Sequence, residues 1–311
     1  MNGQIGAFLC TLCITLTVAL PTLKPGCTVD KCAGPIKYYN DIGCEPVYKD
    51  PEDCCPLRYN CDHLNTRSDD KCYAFGHEYN PTEDLRDEDK GCNRHCTCIK
   101  PDDNPARFSC ALHAVPYIPI TPGCFRPQDA TACAPGPETC PPNPEDIAKC
   151  EVDGKTYLDG QYFQPEGEPR KSCYCGPDYK GENVAPFCKD YSLENCGIEL
   201  WNGDNIRNRC APVFSMGQDP RLDCHHDWRC QEDGDKVEPR DDVIPDPPGI
   251  SMDCQIGNFT MKFGDEVNHV SGDSCIKCRC DLPPLPTCAA MPKAICSMTA
   301  ADLEDSDEKK P

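Results

Sequence analysis

The sequence has little with which to build one large hydrophobic core. Its 311 residues include two Trp and nine Phe, and the 38% hydrophobic fraction counts thirty cysteines. Mean hydropathy is −0.61, and 33 prolines break up regular elements along the chain. Burial alone does not offset the conformational entropy of such a chain. Basic residues are also short: 31 Lys and Arg stand against 52 Asp and Glu, a formal charge of −21. That field repels nucleic acid and anionic membranes and favours a basic partner, although it also serves plain solubility. One apolar run stands out, "FLCTLCITLTVAL" at 8–20, which is long enough for a signal-peptide core and too short for a membrane span. No Lys or Arg precedes Lys24, so the usual basic n-region is missing. Residues 1–20 therefore read as a signal peptide; Thr17 and Ala19 fit the small-residue cleavage rule, and sites up to Gly26 stay open. Motifs of catalysis are missing too: there is no His-Glu-x-x-His, Gly-x-Ser-x-Gly or phosphate-loop pattern. The expectation is a protein that is not an enzyme and needs no cofactor.

What is abundant is cysteine, at the level of a disulfide scaffold. Cys10 and Cys13 fall in the apolar run, which leaves an even 28 of the 30. Even parity suits full pairing in an oxidising, extracellular space. Each bridge closing a loop of 15 residues contributes about 3 kcal/mol on the chain-entropy account.

The cysteines repeat in two interleaved patterns. "GCEPVYKDPEDCCPLRYNC" (43–61) returns thinned as "GCFRPQDATACAPGPETC" (123–140) and as "CAPVFSMGQDPRLDCHHDWRC" (210–230). A second element, "CNRHCTC" (92–98), returns as "SCYC" (172–175) and "CIKCRC" (275–280). About twenty residues upstream of each copy stands a cysteine followed by glycine and an aromatic: "CYAFGHEY" (72–79), "CEVDGKTY" (150–157) and "CQIGNFT" (254–260). Asp153-Gly154 predicts a hairpin turn, because that pair tolerates positive φ.

These patterns divide the chain into four units with even cysteine counts. A second half spans 27–61, with Cys27, Cys32, Cys44, Cys54, Cys55 and Cys61. A full unit spans 72–140, with Cys72, Cys92, Cys96, Cys98, Cys110, Cys124, Cys133 and Cys140. Another spans 150–230, with Cys150, Cys173, Cys175, Cys188, Cys196, Cys210, Cys224 and Cys230. A first half spans 254–296, with Cys254, Cys275, Cys278, Cys280, Cys288 and Cys296. Eight cysteines alone permit 105 pairings, so connectivity stays open. Residues 231–253 are acidic and proline-rich and read as an extended, poorly ordered linker, and 297–311 as a disordered acidic tail. The expected fold class is a string of small disulfide-rich β modules with some freedom between them.

The Cys-x-Cys core with its flanking cysteine, the upstream Gly-x-x-Tyr and the downstream Cys-Cys-Pro doublet resemble von Willebrand factor type C modules. "CCPLRYNCDHL" and "CEVDGKTYLDGQYF" are also similar to secreted arthropod proteins of the kielin/chordin-like kind. Only 44–61 carries the doublet, and only the units at 72 and 254 carry all three cysteines of the core. The resemblance implies tandem, elongated modules of short antiparallel strands followed by an irregular disulfide-held segment. It also implies a secreted binding protein acting on growth factors of the bone morphogenetic protein and TGF-β class, or a matrix component.

Other candidate chemistry carries less. "CCPLRYNC" and "CNRHCTC" would hold a metal only as reduced thiolates, against parity and compartment. His225 and His226 read as a solvated pair on a disulfide loop. "SGDSC" (271–275) only superficially resembles a serine-protease nucleophile segment, because Cys275 stands at the second glycine position. "EDLRDEDK" (83–90) lacks regular calcium-loop spacing and reads as a solvated loop. Asn258 opens the only N-glycosylation sequon, Asn258-Phe259-Thr260. The leading expectation is a secreted protein that binds another extracellular protein, and the resemblance suggests a cystine-knot growth factor. A structural matrix or cuticle component comes second. A protease inhibitor presenting "RPQDATA" (126–132) comes third.

Overall fold

The computed structural model describes residues 27–28, 31–112, 119–239, 246–271 and 274–296. The signal-peptide and tail expectations lie outside these residues. The chain forms short, mainly antiparallel strands with a few one-turn helices, stapled by disulfides, as the composition requires.

One arrangement is built three times. Each copy opens with a small hairpin: Cys72–Ala74 with His77–Tyr79, Lys149–Val152 with Lys155–Leu158, and Cys254–Ile256 with Phe259–Met261. Phe75-Gly76 and Asp153-Gly154 both turn through positive φ, and the third hairpin does so at Gly257. These are the primed turns whose twist matches that of paired strands. The second strand pair then carries Cys-x-Cys. Because strand side chains alternate, both cysteines of that motif face the same side. The second of them bonds the cysteine that opens the hairpin, giving Cys72–Cys98, Cys150–Cys175 and Cys254–Cys280. The first bonds the residue directly opposite it on the next strand, giving Cys96–Cys110, Cys173–Cys188 and Cys278–Cys288. The spacing Cys92-x3-Cys96 is one residue longer than Cys275-x2-Cys278, and the extra residue falls in a β-bulge between Asn93 and His95. Cys92 reaches forward to Cys133, and Cys275 is also disulfide-bonded.

The other arrangement also recurs. In two copies helix precedes hairpin: Ile36–Asp41 before Glu45–Val47 and Arg58–Asn60, then Ile198–Trp201 and Gly203–Arg207 before Ala211–Ser215 and Asp227–Arg229. The registers match, with Pro46 opposite Tyr59 and Pro212 opposite Trp228. A bridge closes each ladder one step beyond its end pair, Cys44–Cys61 and Cys210–Cys230. Cys124–Cys140 does the same beside the lone pair Phe125 and Thr139. The adjacent Cys54 and Cys55 go to different partners, Cys27 and Cys32, while Cys196 bonds Cys224. Each of these bridges joins two cysteines within 27–61, 72–140, 150–230 or 254–288.

The units pack together, which the sequence does not predict. Ala211–Ser215 lies parallel to Thr287–Pro292, making a five-stranded sheet from two units. A shared core joins Ile36, Tyr39 and Tyr59 to Ile198 and to Leu282 and Leu285. Fully buried Tyr39 donates its hydroxyl proton to Leu282 O (2.8 Å) and accepts the Leu285 N–H (2.9 Å). The backbone of Tyr59 bonds Pro283 O at 2.8 Å. Over its described residues, 231–239 and 246–253, the acidic, proline-rich linker is anchored at three points. Glu238 pairs by its backbone with Glu266, Met252 is buried, and buried Arg229 is paired with Asp235. These contacts tie the stretch down at single points, while most of its described residues stay exposed.

Candidate protein-interaction surface

The sheet of Tyr162–Phe163, Lys171–Tyr174 and Cys188–Asp190 has one face on its cystine core and the other outward. Phe163 and Cys173 are buried, so alternation turns Tyr162 and Tyr174 to the opposite face. They stand directly across the ladder with ring centroids 5.8 Å apart, edge to face. Tyr191 follows the last strand, and the Tyr162 hydroxyl interacts with Tyr191 and Ser172. Partial burial, followed by the neighbouring Tyr191, pushes the Tyr162 phenol above its ordinary range. Tyr162 is 49% exposed, Tyr191 42% and Leu193 85%. In the other two copies the position of Tyr174, between the paired cysteines, is held by Thr97 and Arg279.

The turn that carries Tyr191 and Leu193 is fixed from beneath. Asp190 accepts from the Ser192 backbone (2.9 Å) and hydroxyl (2.6 Å), and Tyr191 N–H donates to Arg170 O (3.0 Å). Buried Lys37, from the helix Ile36–Asp41, donates to the carbonyls of Ser192 (3.2 Å) and Glu194 and pairs with Asp41 (3.5 Å). Burial pushes the Asp41 carboxyl up, while the Cys196 N–H and Lys37 pull it down. The Lys189 ammonium lies 5.9 Å from the Tyr191 ring and 3.0 Å from Glu194. The surface is thus a preorganised tyrosine-and-leucine patch whose charged neighbours are Asp190, Glu194 and Lys189. Exposed aromatics on a rigid base are the composition of protein-interface anchors. Sequence reasoning did not single these residues out. The signal was present in "SCYC", where the residue between two inward cysteines must point out.

Other sequence candidates fall as follows. Cys124, Cys140, Cys196 and Cys224 lie near carboxylates, but all four are bonded as disulfides and offer no thiolate. His225 corrects the reading of a solvated pair. Its ring packs 4.3 Å from Trp228 and 5.7 Å from Tyr38, and its buried Nδ1 has no hydrogen-bond partner. Burial, with His226 adding, lowers its pKa to about 4. His226 instead places Nδ1 3.0 Å from Val213 O, so the two imidazoles have different surroundings. In "EDLRDEDK", Leu85 is buried, Asp89 accepts from His77 (2.9 Å) and Tyr79 (3.1 Å), and Asp87 from Lys90 (2.6 Å). Asp89 is committed within the fold, while Asp87 is 96% exposed and most of the segment is the solvated loop expected of it.

Ser271 and Ser274 close a hairpin ladder, which is a structural place for "SGDSC". "RPQDATA" is not the exposed loop that protease inhibition needs: Arg126 pairs with Glu138 (3.4 Å), and Ala130 is buried and bonded to Pro186 O (2.9 Å). Asn258 is exposed in a two-residue turn, its backbone N–H on Gln231 Oε1 at 2.8 Å. No helix among the described residues is long and apolar enough to cross a membrane. No known protein family matches the chain, and no solved structure matches it.

Proposed function

We propose that the chain is a secreted, non-enzymatic binding protein that engages another extracellular protein through the Tyr162–Tyr174–Tyr191–Leu193 face. The partner class is a basic cystine-knot growth factor. The single observation behind this reading is that rigidly held, exposed aromatic face on an acidic molecule. The resemblance to von Willebrand factor type C modules supports the partner class, and the dense disulfide bonding supports the compartment. Charge complementarity would speed the encounter and make it salt-sensitive, while the tyrosines and Leu193 would supply affinity. A growth factor that is itself a dimer would bind two copies and gain avidity on a surface.

The test is interferometry of the purified secreted chain against dimeric growth factors of this class. Binding at micromolar concentration or tighter is expected, weakened at least about tenfold in Tyr162→Ala/Tyr191→Ala. No binding across the class, or binding indifferent to that double variant, would remove this reading. Peptide mapping of the same material reads Asn258: a glycan is expected there, released by amidase treatment.

A further inference from the structure

We propose that the cavity between the helices Ile198–Trp201 and Gly203–Arg207 and the strands Cys72–Ala74 and Arg107–Leu112 binds a small aromatic carboxylate. The proposal goes beyond the protein partner above and does not depend on it. The cavity holds about 340 Å3, within the range of small-ligand sites.

Its lining is rich in arginine although the molecule as a whole is acidic. Three arginines line it, Arg67, Arg107 and Arg207, against two carboxylates, Glu199 and Asp204. Buried Glu199 is spent on Arg67 and on the Gly76 N–H (3.1 Å). Arg207 is spent on Asp204 (3.0 Å), Asp69 (3.3 Å) and the Ala106 carbonyl (3.1 Å). Arg107 forms no ion pair and no side-chain hydrogen bond among the described residues. In a chain of charge −21, an uncommitted guanidinium at a cavity selects for an anion, and its fork suits a carboxylate.

Three aromatic rings share the lining with aliphatic and amide side chains. Trp201 is 48% exposed and shares the cavity with Phe108 and Tyr73. The Arg67 guanidinium sits 4.6 Å over the Tyr73 ring, which holds that wall in place. A half-exposed indole in the same cavity as a free guanidinium favours a ligand with a flat apolar body and one negative group, since the charge-assisted pair with Arg107 adds more than stacking of the body alone. Both walls are anchored: Cys72–Cys98 and Cys96–Cys110 hold one, and Leu200 is buried in the core of the other unit. The cavity is therefore largely preformed, which limits the entropy lost on binding.

Isothermal titration of the full secreted chain with 1-naphthoate tests the proposal, with 1-naphthalenemethanol as the uncharged counterpart. One saturable site is expected with Kd no weaker than about 1 mM, and no saturation with the alcohol. Arg107→Ala should weaken 1-naphthoate about tenfold or more, Arg107→Lys less, and Trp201→Ala about as much as Arg107→Ala. Both side chains are exposed, and an unchanged disulfide map shows that each variant has folded. Absence of saturable binding at about 1 mM, equal binding of the alcohol, or unchanged affinity in both alanine variants would overturn it.

Discussion

Tyr39 carries more of the fold than its place in a six-residue helix suggests. Its hydroxyl serves a carbonyl and an amide of the loop at Leu282–Leu285, which belongs to the far end of the chain. Tyr39→Phe keeps the ring and leaves both backbone groups buried without partners. Chemical denaturation should show a loss of about 1–3 kcal/mol; a loss within error would mean that water replaces the hydroxyl. His225 acts in the same junction through protonation. In the fold its pKa is about 4, against about 6.5 in an unfolded chain, so the folded state prefers the neutral ring. That stability is fully present above pH 6.5 and is lost as pH falls toward 4, to a limit of about 3 kcal/mol. Denaturation midpoints taken between pH 7 and pH 4 should fall, and His225→Phe should flatten the fall. An unchanged pH profile in that variant would assign the acid sensitivity to other groups. The sequence showed both histidines but not their surroundings, because Tyr38 and Trp228 come together only through tertiary packing.

At the scale of elements, much was legible. Cys-x-Cys on a strand forces two cystines onto one face, and the recurring Gly after a lone cysteine marks the hairpin that one of them closes. The Asp153-Gly154 turn follows from its residue types alone. What joins the elements was not legible. The parallel pairing of Val213 with Cys288 links strands far apart in sequence, and no local pattern encodes it. Gly160 is a further case. Its φ is +79°, and a Cβ there would stand 1.8 Å from Arg126 O. That close approach seats the 124–140 segment on the 150–188 sheet. Gly160→Ala should therefore cost several kcal/mol, on the order of 3 or more, and expose the 124–140 segment to protease. Resistance equal to that of the parent protein would show that the two segments do not depend on this contact. Lys37 gives the functional counterpart. Lys37→Met removes the donor beneath Ser192 and Glu194, so affinity for a partner on the tyrosine face should fall without any change to the tyrosines. Binding measured beside Tyr162→Ala separates loss of posture from loss of contact.

The whole molecule combines two economies: each described bridge closes within one unit, and the units then share cores and a sheet. Self-closure suits a chain with few large hydrophobic residues, since each cystine limits the unfolded ensemble locally. Shared cores let the first segment meet the last through Tyr39 and meet the 150–230 unit as well, which brings Lys37 beneath the tyrosine turn and Tyr38 against His225. The arginine-lined cavity is assembled from segments that are distant in sequence, so residue spacing alone could not reveal it, whereas the tyrosine face lies within residues 162–193 and only its Lys37 support comes from afar. Both depend on the bridge pattern. The most direct measurement is a disulfide map of the secreted protein by non-reducing digestion and mass spectrometry. The account predicts the cross-strand pairs Cys96–Cys110, Cys173–Cys188 and Cys278–Cys288, separate partners for Cys54 and Cys55, and no bridge from one unit to another. Free thiols at these positions, or bridges running between units, would contradict it.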